Sequence, residues 1–143
     1  QYTIHAGRSI PNIWSIGGFS LSENTAYACE PFVTTEQGGG FVRNGKIKNI
    51  FAINSRKKTK NDEADKLLNF IWENFNMLPF ALRWITKEWE EKEARELLDI
   101  LIKKKAVQAY PVLIEVNEQR VAQAEHTFIP MESGVTVTTK ALT

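Results

Sequence analysis

The chain has 143 residues of ordinary globular composition, 43% hydrophobic and 24% charged. This composition excludes a disordered chain, and no apolar run approaches the ~20 residues that span a bilayer, so we expect no membrane contact. The 18 Lys and Arg residues nearly balance the 17 Asp and Glu residues, so net charge favours no class of partner.

The single cysteine and the first residue bear on the origin of the chain. Cys29 cannot form a disulfide within the chain, which favours a reducing, cytoplasmic compartment. The sequence starts with Gln1 rather than Met, and no signal peptide precedes the first predicted strand. We therefore expect a cytoplasmic protein from which an upstream segment has been separated.

The first 60 residues predict strands and turns. Strands are expected at 2–5, 25–34 and 45–54, separated by glycines at 17–18 and 38–40. The basic run Arg56–Lys60 that follows is predicted to be a solvated linker, with nucleic-acid contact as the less favoured alternative.

Residues 61–105 then change to helical periodicity. Asn61 is a predicted N-cap, and Pro79 ends the first helix because it disfavours helical geometry in the residue before it. Its predicted buried stripe consists of Leu67, Leu68, Ile71, Trp72 and Phe75.

A second long helix is predicted after a short one at 80–85. Thr86 is its expected cap, and Lys103–Lys105 lie at its negative end, as the helix dipole favours. Its predicted buried face consists of Ala94, Leu97, Leu98, Leu101 and Ile102.

The C-terminal part predicts a β-hairpin and one further strand. Residues 110–116 and 120–129 alternate around Asn117-Glu118, and 134–139 forms the last strand. Helices followed by a hairpin indicate an α+β fold with a winged-helix-like segment.

Two glutamates lie within predicted strands of mostly small or apolar residues. Glu30 shares its face with Ala26 and Ala28, and Glu125 shares its face with Gln123. A carboxylate in such a strand either faces water at a sheet edge or is compensated by a cation. For either glutamate alone the solvent-facing interpretation is favoured, but two in one chain strengthen the case for divalent ions. Of the two histidines, His5 alone is interpreted as structural, and His126 as structural or as a residue that supports the ligands from outside the ligand set.

Five motifs, in the right order, resemble the type II, archaeal-like methionine aminopeptidases. They are IHAGRSIPNI at 4–13, CEPF at 29–32, LPFALRW at 78–84, YPVL at 110–113 and QAEHT at 123–127. The resemblance covers almost the whole chain. It implies the C-terminal half of the pita-bread fold, with catalytic strands at 1–60 and 120–143 and a winged-helix-like type II insertion at 61–119.

The resemblance also implies a function. Enzymes of this family remove the initiator methionine from nascent polypeptides with two divalent metal ions, for which cobalt, manganese, iron and zinc stay open. The expected partners are the N-terminal methionine of the substrate, the upstream half of the same enzyme and the ribosome.

Roles for individual residues follow from the same motifs. Glu30 would be a terminal ligand of one metal ion and a candidate proton shuttle, and Glu125 would bridge both ions. His5 would lie near the scissile amide as a catalytic and substrate-binding residue. Gln123 would orient Glu125 from outside the ligand set. The methionine pocket would be lined in part by Ile4, Phe32 and Tyr110.

The departures from the family pattern limit what the chain does alone. The family uses five metal ligands, and the positions of three of them would fall before Gln1. We therefore expect the isolated chain to be catalytically incomplete. The alternative is a non-enzymatic pita-bread relative that binds the ribosome or RNA, although such proteins typically lose the metal ligands. A free-standing winged-helix nucleic-acid binder is disfavoured because its recognition-helix candidate begins with acidic residues.

Overall fold

The computed structural model describes Trp14 and residues 16–140. This part of the chain has an α+β fold, as predicted, and none of its helices is long and apolar enough to cross a membrane. In chain order the elements are β1 (Tyr27–Cys29), β2 (Phe32–Thr34), β3 (Val42–Ile53), α1 (Asp62–Phe75), β4 (Phe80–Ala81), α2 (Leu82–Ile85), α3 (Glu91–Lys103), β5 (Val107–Glu115), β6 (Val121–Gln123), β7 (His126–Met131) and β8 (Gly134–Val137).

The described residues divide into two compact units. The helical unit comprises Asn44–Ile114, and the strand unit comprises the described residues up to Arg43 together with those from Glu115 onward. The domain boundaries after residues 60 and 119 stay a prediction. Most of β3 belongs to the helical unit because Phe51 and Ile53 are buried in the helical core.

Helix α1 begins where the sequence predicts, because Asn61 caps it. The Asn61 side-chain oxygen accepts a hydrogen bond from the Ala64 backbone N–H at 2.9 Å, satisfying one of the free donors of the first turn. The predicted stripe is confirmed by the burial of Leu67, Leu68 and Ile71. Helix α1 therefore supplies one wall of the core.

Helix α3 confirms the predicted register but begins later than predicted. Leu97, Leu98 and Leu101 are buried, as expected. The prediction of Thr86 as its cap is wrong: Thr86 follows α2, and its hydroxyl donates to the Arg83 carbonyl at 3.2 Å. Residues 86–90 instead form a turn between α2 and α3, with Trp89 packed against the core.

The helical unit contains a three-stranded sheet in the order β4-β3-β5. The predicted hairpin of 110–116 with 120–129 is wrong, because β5 pairs with β3 while β6 pairs with β2 and β7 with β1 and β8. The turn at Asn117-Glu118 exists, but the chain passes from one sheet to another there. Strand β5 therefore has β3 as its neighbour, in place of the second strand of the predicted hairpin.

One buried carboxylate organises this turn. Glu115 is only 4% exposed, and its carboxylate accepts hydrogen bonds from the backbone N–H groups of Gly39, Asn117 (2.8 Å) and Gln119 (3.1 Å). Burial raises the pKa of the Glu115 carboxyl, but these donors, first that of Gln119, outweigh burial and hold the pKa below its ordinary value of 4.5. A side chain at Gly39 would collide with Val116, so this close approach requires glycine.

The burial of Leu101, which is 0% exposed, predicts the effect of truncating it. Leu101→Ala should lower the free energy of unfolding by about 3 kcal/mol, because it removes apolar contacts and leaves a cavity. Leu113→Ala, at a strand residue that is 61% exposed, should change it by less than about 0.5 kcal/mol. Urea titration measures both, and equal destabilisation by the two variants would show that α3 is not packed as described.

The lowered pKa of Glu115 predicts an acid-dependent loss of stability. A carboxyl whose folded-state pKa is depressed contributes stability that is complete above its unfolded-state pKa and disappears as pH falls through the lower folded-state value. Glu115→Gln should therefore destabilise the chain near neutral pH and flatten the decline in melting temperature between about pH 5 and pH 3. Glu132→Gln, on an exposed turn, serves as the control. An unchanged profile for Glu115→Gln would contradict the assigned hydrogen bonds.

Candidate functional site

The strand unit holds two short ladders that share one register. Strand β1 pairs antiparallel with β7, and β2 pairs antiparallel with β6, and in both ladders the numbers of paired residues add up to 155. Glu30 and Glu125 lie in the gap between the ladders, and their numbers have the same sum. The continuous register therefore places these two residues directly opposite each other, although 95 positions (125 − 30) separate them in the sequence.

Pro31 accounts for the gap. The Ala124 N–H donates to the Pro31 carbonyl at 3.2 Å, but proline has no N–H with which to return the bond. The Pro31–Ala124 pair therefore occupies a hydrogen-bonded position, which puts Glu30 and Glu125 at the neighbouring non-hydrogen-bonded position. At such positions Cα atoms approach to about 4.5 Å and the side chains lie closest to each other. The two carboxylates, hereafter the glutamate pair, thus project from one face of the ladder.

Gln123 joins this face and contacts the glutamate pair. Its side-chain N–H donates to Glu30 Oε2 at 3.3 Å, a diagonal cross-strand contact. No other hydrogen bond within residues 14 and 16–140 reaches either carboxylate, and both glutamates are exposed. Most of the carboxylate oxygens are thus available to an external ligand.

The chemistry of the glutamate pair fits a divalent cation. Like charges directly opposite in a ladder destabilise it, and a bound cation would offset that repulsion. Carboxylate oxygens are the ligands that hard divalent ions prefer. Within the described residues no group of three or more His, Cys, Asp or Glu side chains is placed to hold a metal ion. Two carboxylates therefore meet at this place without a third such side chain from the described residues.

The opposite face of the same ladder carries His126 and Cys29, which pair across the strands. His126 Nδ1 lies 3.0 Å from the Thr139 hydroxyl oxygen, which fixes the orientation of the ring. His126 therefore faces away from the glutamate pair.

The other predicted site residues fall in different places. Phe32 lies on the same face as Glu30, two residues along the strand. Tyr110 lies on β5 in the helical unit, where the Gln108 side chain donates to its hydroxyl. Ile4 and His5 lie outside the described residues. The structure thus brings together Glu30, Gln123 and Glu125, with Phe32 beside them.

One residue that matters for the site was not singled out from the sequence. Pro31 fixes which cross-strand pairs are hydrogen-bonded and so determines how Glu30 and Glu125 meet. The available signal was a proline inside a predicted strand, which marks an interrupted ladder or an edge.

Comparison with models of known protein families gives no match. Comparison with curated proteins gives methionine aminopeptidases of archaea. Those of Saccharolobus solfataricus and Methanocaldococcus jannaschii are 39% and 37% identical to the chain over 99% and 98% of its length, and that of Thermococcus kodakarensis is 37% identical over 97%. The chain spans about half the length of these relatives, from 46% to 47%.

Among solved structures, the chain is similar to a thermophilic Arx1. The match has a TM-score of 0.66 and 18% sequence identity, and it covers 78% of this chain and 29% of that one. At this identity the likeness speaks for the fold alone, and it supports the predicted pita-bread fold. The helices and sheets of the described residues agree with that fold, and the archaeal relatives confirm the resemblance to methionine aminopeptidases. The chain is thus a homologue of the archaeal methionine aminopeptidases and corresponds to about half of their length.

Proposed function

We propose that the parent protein removes the N-terminal methionine of nascent polypeptides as a two-metal aminopeptidase, and that this chain supplies two of its five metal ligands. The observation that carries the proposal is the glutamate pair, Glu30 opposite Glu125 in the gap between two ladders that share one register. The homology to methionine aminopeptidases supports it. Two adjacent carboxylates also provide the oxygen ligands that a hard divalent cation prefers.

The residues of the chain would share the work as follows. Glu125 would bridge two ions, and Glu30 would bind one of them and serve as the candidate proton shuttle. Gln123 would fix Glu30 through the 3.3 Å hydrogen bond rather than orient Glu125 directly. When bound, the ions would polarise the substrate carbonyl and activate water. The ladder keeps both carboxylates in place before any ion arrives.

Substrate recognition is proposed from the motif resemblance. His5 would contact the scissile amide, and Ile4, Phe32 and Tyr110 would help to line the methionine pocket. The metal, among cobalt, manganese, iron and zinc, and the cytoplasmic location are part of the same proposal. The helices would form the type II insertion, with the strands that pair with β3 in place of a winged-helix hairpin.

A second candidate function is a non-enzymatic pita-bread relative that binds the ribosome or RNA. The fold likeness to a thermophilic Arx1, at 18% identity, is compatible with it. The retained glutamate pair and the 35–39% identity to methionine aminopeptidases favour the enzyme. The two candidates differ in whether metal binding is required.

We expect the chain alone to hydrolyse no Met-Ala-Ser tripeptide with added cobalt or manganese, and the chain joined to its upstream half to do so. Two carboxylates do not hold two ions firmly enough to activate water, whereas the complete ligand set does. Release of methionine is the measurement. Robust activity of the 143 residues alone would contradict the incomplete-site account, and an inactive but folded complete protein would favour the non-enzymatic relative.

Variants of the complete protein separate the roles in this experiment. Glu125→Ala should abolish turnover and metal binding, and His5→Ala should lower turnover with less effect on metal content. Gln123→Ala should lower activity or metal affinity about 10- to 100-fold, as is usual for residues that orient ligands. Glu132→Ala, on an exposed turn of the strand unit, serves as the matched control and should retain activity.

A further inference from the structure

The helical unit brings two basic runs of the sequence together. The backbone N–H groups of Asn54 and Ser55 both donate to the Ala106 carbonyl, at 2.8 and 3.1 Å. One run begins directly after Ser55, and the other ends directly before Ala106. We name the group they form the basic patch; it consists of Arg56, Lys57, Lys58, Lys60, Lys103, Lys104 and Lys105.

The basic patch concentrates positive charge that the chain as a whole does not have. It holds seven of the 18 Lys and Arg residues and none of the 17 Asp and Glu residues. The remaining residues therefore carry a formal charge of −6 (11 − 17), although the whole chain carries +1. Such clustering creates a local positive potential that net charge conceals.

The charges of the basic patch are available to a partner. Within residues 14 and 16–140 none of its seven cations forms an ion pair, and all seven residues are exposed. Two neighbouring acidic groups are engaged elsewhere: Asp65 accepts from the Thr59 N–H and hydroxyl, and Glu63 pairs with Lys66 at 2.7 Å. The negative end of helix α3 favours cations at 103–105, and no ion pair within the described residues neutralises the rest of the basic patch.

Two lysines of the basic patch occupy backbone conformations that favour glycine. Lys60 has φ +68° and Lys105 has φ +58°, both in the left-handed region. Helix α3 ends at Lys103 and Lys104 is its C-cap, so Lys105 lies at the next position, where glycine is the usual residue. The sequence thus carries a cation at both positions in spite of a conformational cost.

We propose that the basic patch binds the phosphate backbone of RNA. A compact cluster of lysines and an arginine is the electrostatic footprint of a nucleic-acid surface. No large hydrophobic side chain of 54–60 or 103–106 is exposed, so the described patch offers nothing to insert into a lipid layer. The choice of RNA rests on the proposed function, because nascent polypeptides are made on ribosomes.

Arg56 gives the basic patch a fixed point. Its guanidinium lies 4.7 Å from the centre of the Trp72 ring on α1, so it is held against the helix while the lysines extend into solvent. The arrangement presents flexible point charges around one anchored planar cation. It suits a regular phosphate backbone rather than the edges of particular bases.

The test is binding of the 143-residue chain to a fluorescent RNA duplex of about 20 base pairs at salt concentrations between about 50 and 200 mM KCl, the range over which phosphate binding weakens most clearly. A patch variant carries Lys57→Gln, Lys58→Gln, Lys103→Gln and Lys104→Gln. A matched control carries Lys46→Gln, Lys48→Gln, Lys87→Gln and Lys92→Gln, also in the helical unit and exposed. Both variants change the formal charge from +1 to −3 (1 − 4).

We expect the patch variant to bind at least about tenfold more weakly and to lower the slope of log K against log salt by about one for each phosphate that it no longer neutralises. The affinity of the control variant for the RNA duplex should stay within about threefold of that of the chain without substitutions, because the substituted lysines lie outside the basic patch. Circular dichroism checks that each variant folds.

Three outcomes would overturn the proposal: equal weakening of both variants, no binding by the unchanged chain at the lowest salt concentration, or preference for phosphatidylserine vesicles over RNA. Since the assay involves neither metal nor peptide, its failure is distinguishable from failure of the aminopeptidase proposal.

Discussion

The arrangement of the candidate site depends on an antiparallel register that continues across an interruption. Pro31 removes one ladder hydrogen bond, yet β1 with β7 and β2 with β6 keep the same pairing on both sides of it. Because side chains alternate with a period of two, a slip of one residue would turn Glu30 away from Glu125. The surrounding ladders therefore position two like charges that would otherwise separate, and a bound cation would offset their repulsion.

Much of the helical unit follows from local signals in the sequence. Asn61 and the stripe of Leu67, Leu68 and Ile71 are predictable because a cap and an apolar face are set by neighbours within a few residues. The hairpin was predicted wrongly because strand pairing is non-local. Strands β5 and β6 are adjacent in sequence, but β5 pairs with β3 and β6 pairs with β2. Thr86 was wrongly predicted to cap α3 because it ends α2, and a turn whose Trp89 packs against the core separates the two helices.

The sequence alone predicts only part of the candidate site, for the same reason. The motifs identified Glu30, Gln123 and Glu125 individually, but their juxtaposition depends on a pairing between strands that are far apart in the sequence. The basic patch is a similar case, since each run alone looks like a solvated segment and only the hydrogen bonds to Ala106 bring the two together. The two units thus carry different chemistry: paired carboxylates in the strand unit and clustered cations in the helical unit.

The central claim, that Glu30 and Glu125 face each other, is tested most directly by a cross-strand disulfide. In a Cys29→Ser background, Glu30→Cys with Glu125→Cys should oxidise to an intramolecular disulfide, because Cα atoms at a non-hydrogen-bonded pair lie about 4.5 Å apart, within the range that disulfides span. Glu30→Cys with Ala124→Cys places the thiols on opposite faces and should stay reduced. Mass spectrometry after mild oxidation measures both. A disulfide in the first variant alone is the predicted result, and no disulfide there, or equal formation in both, would contradict the account.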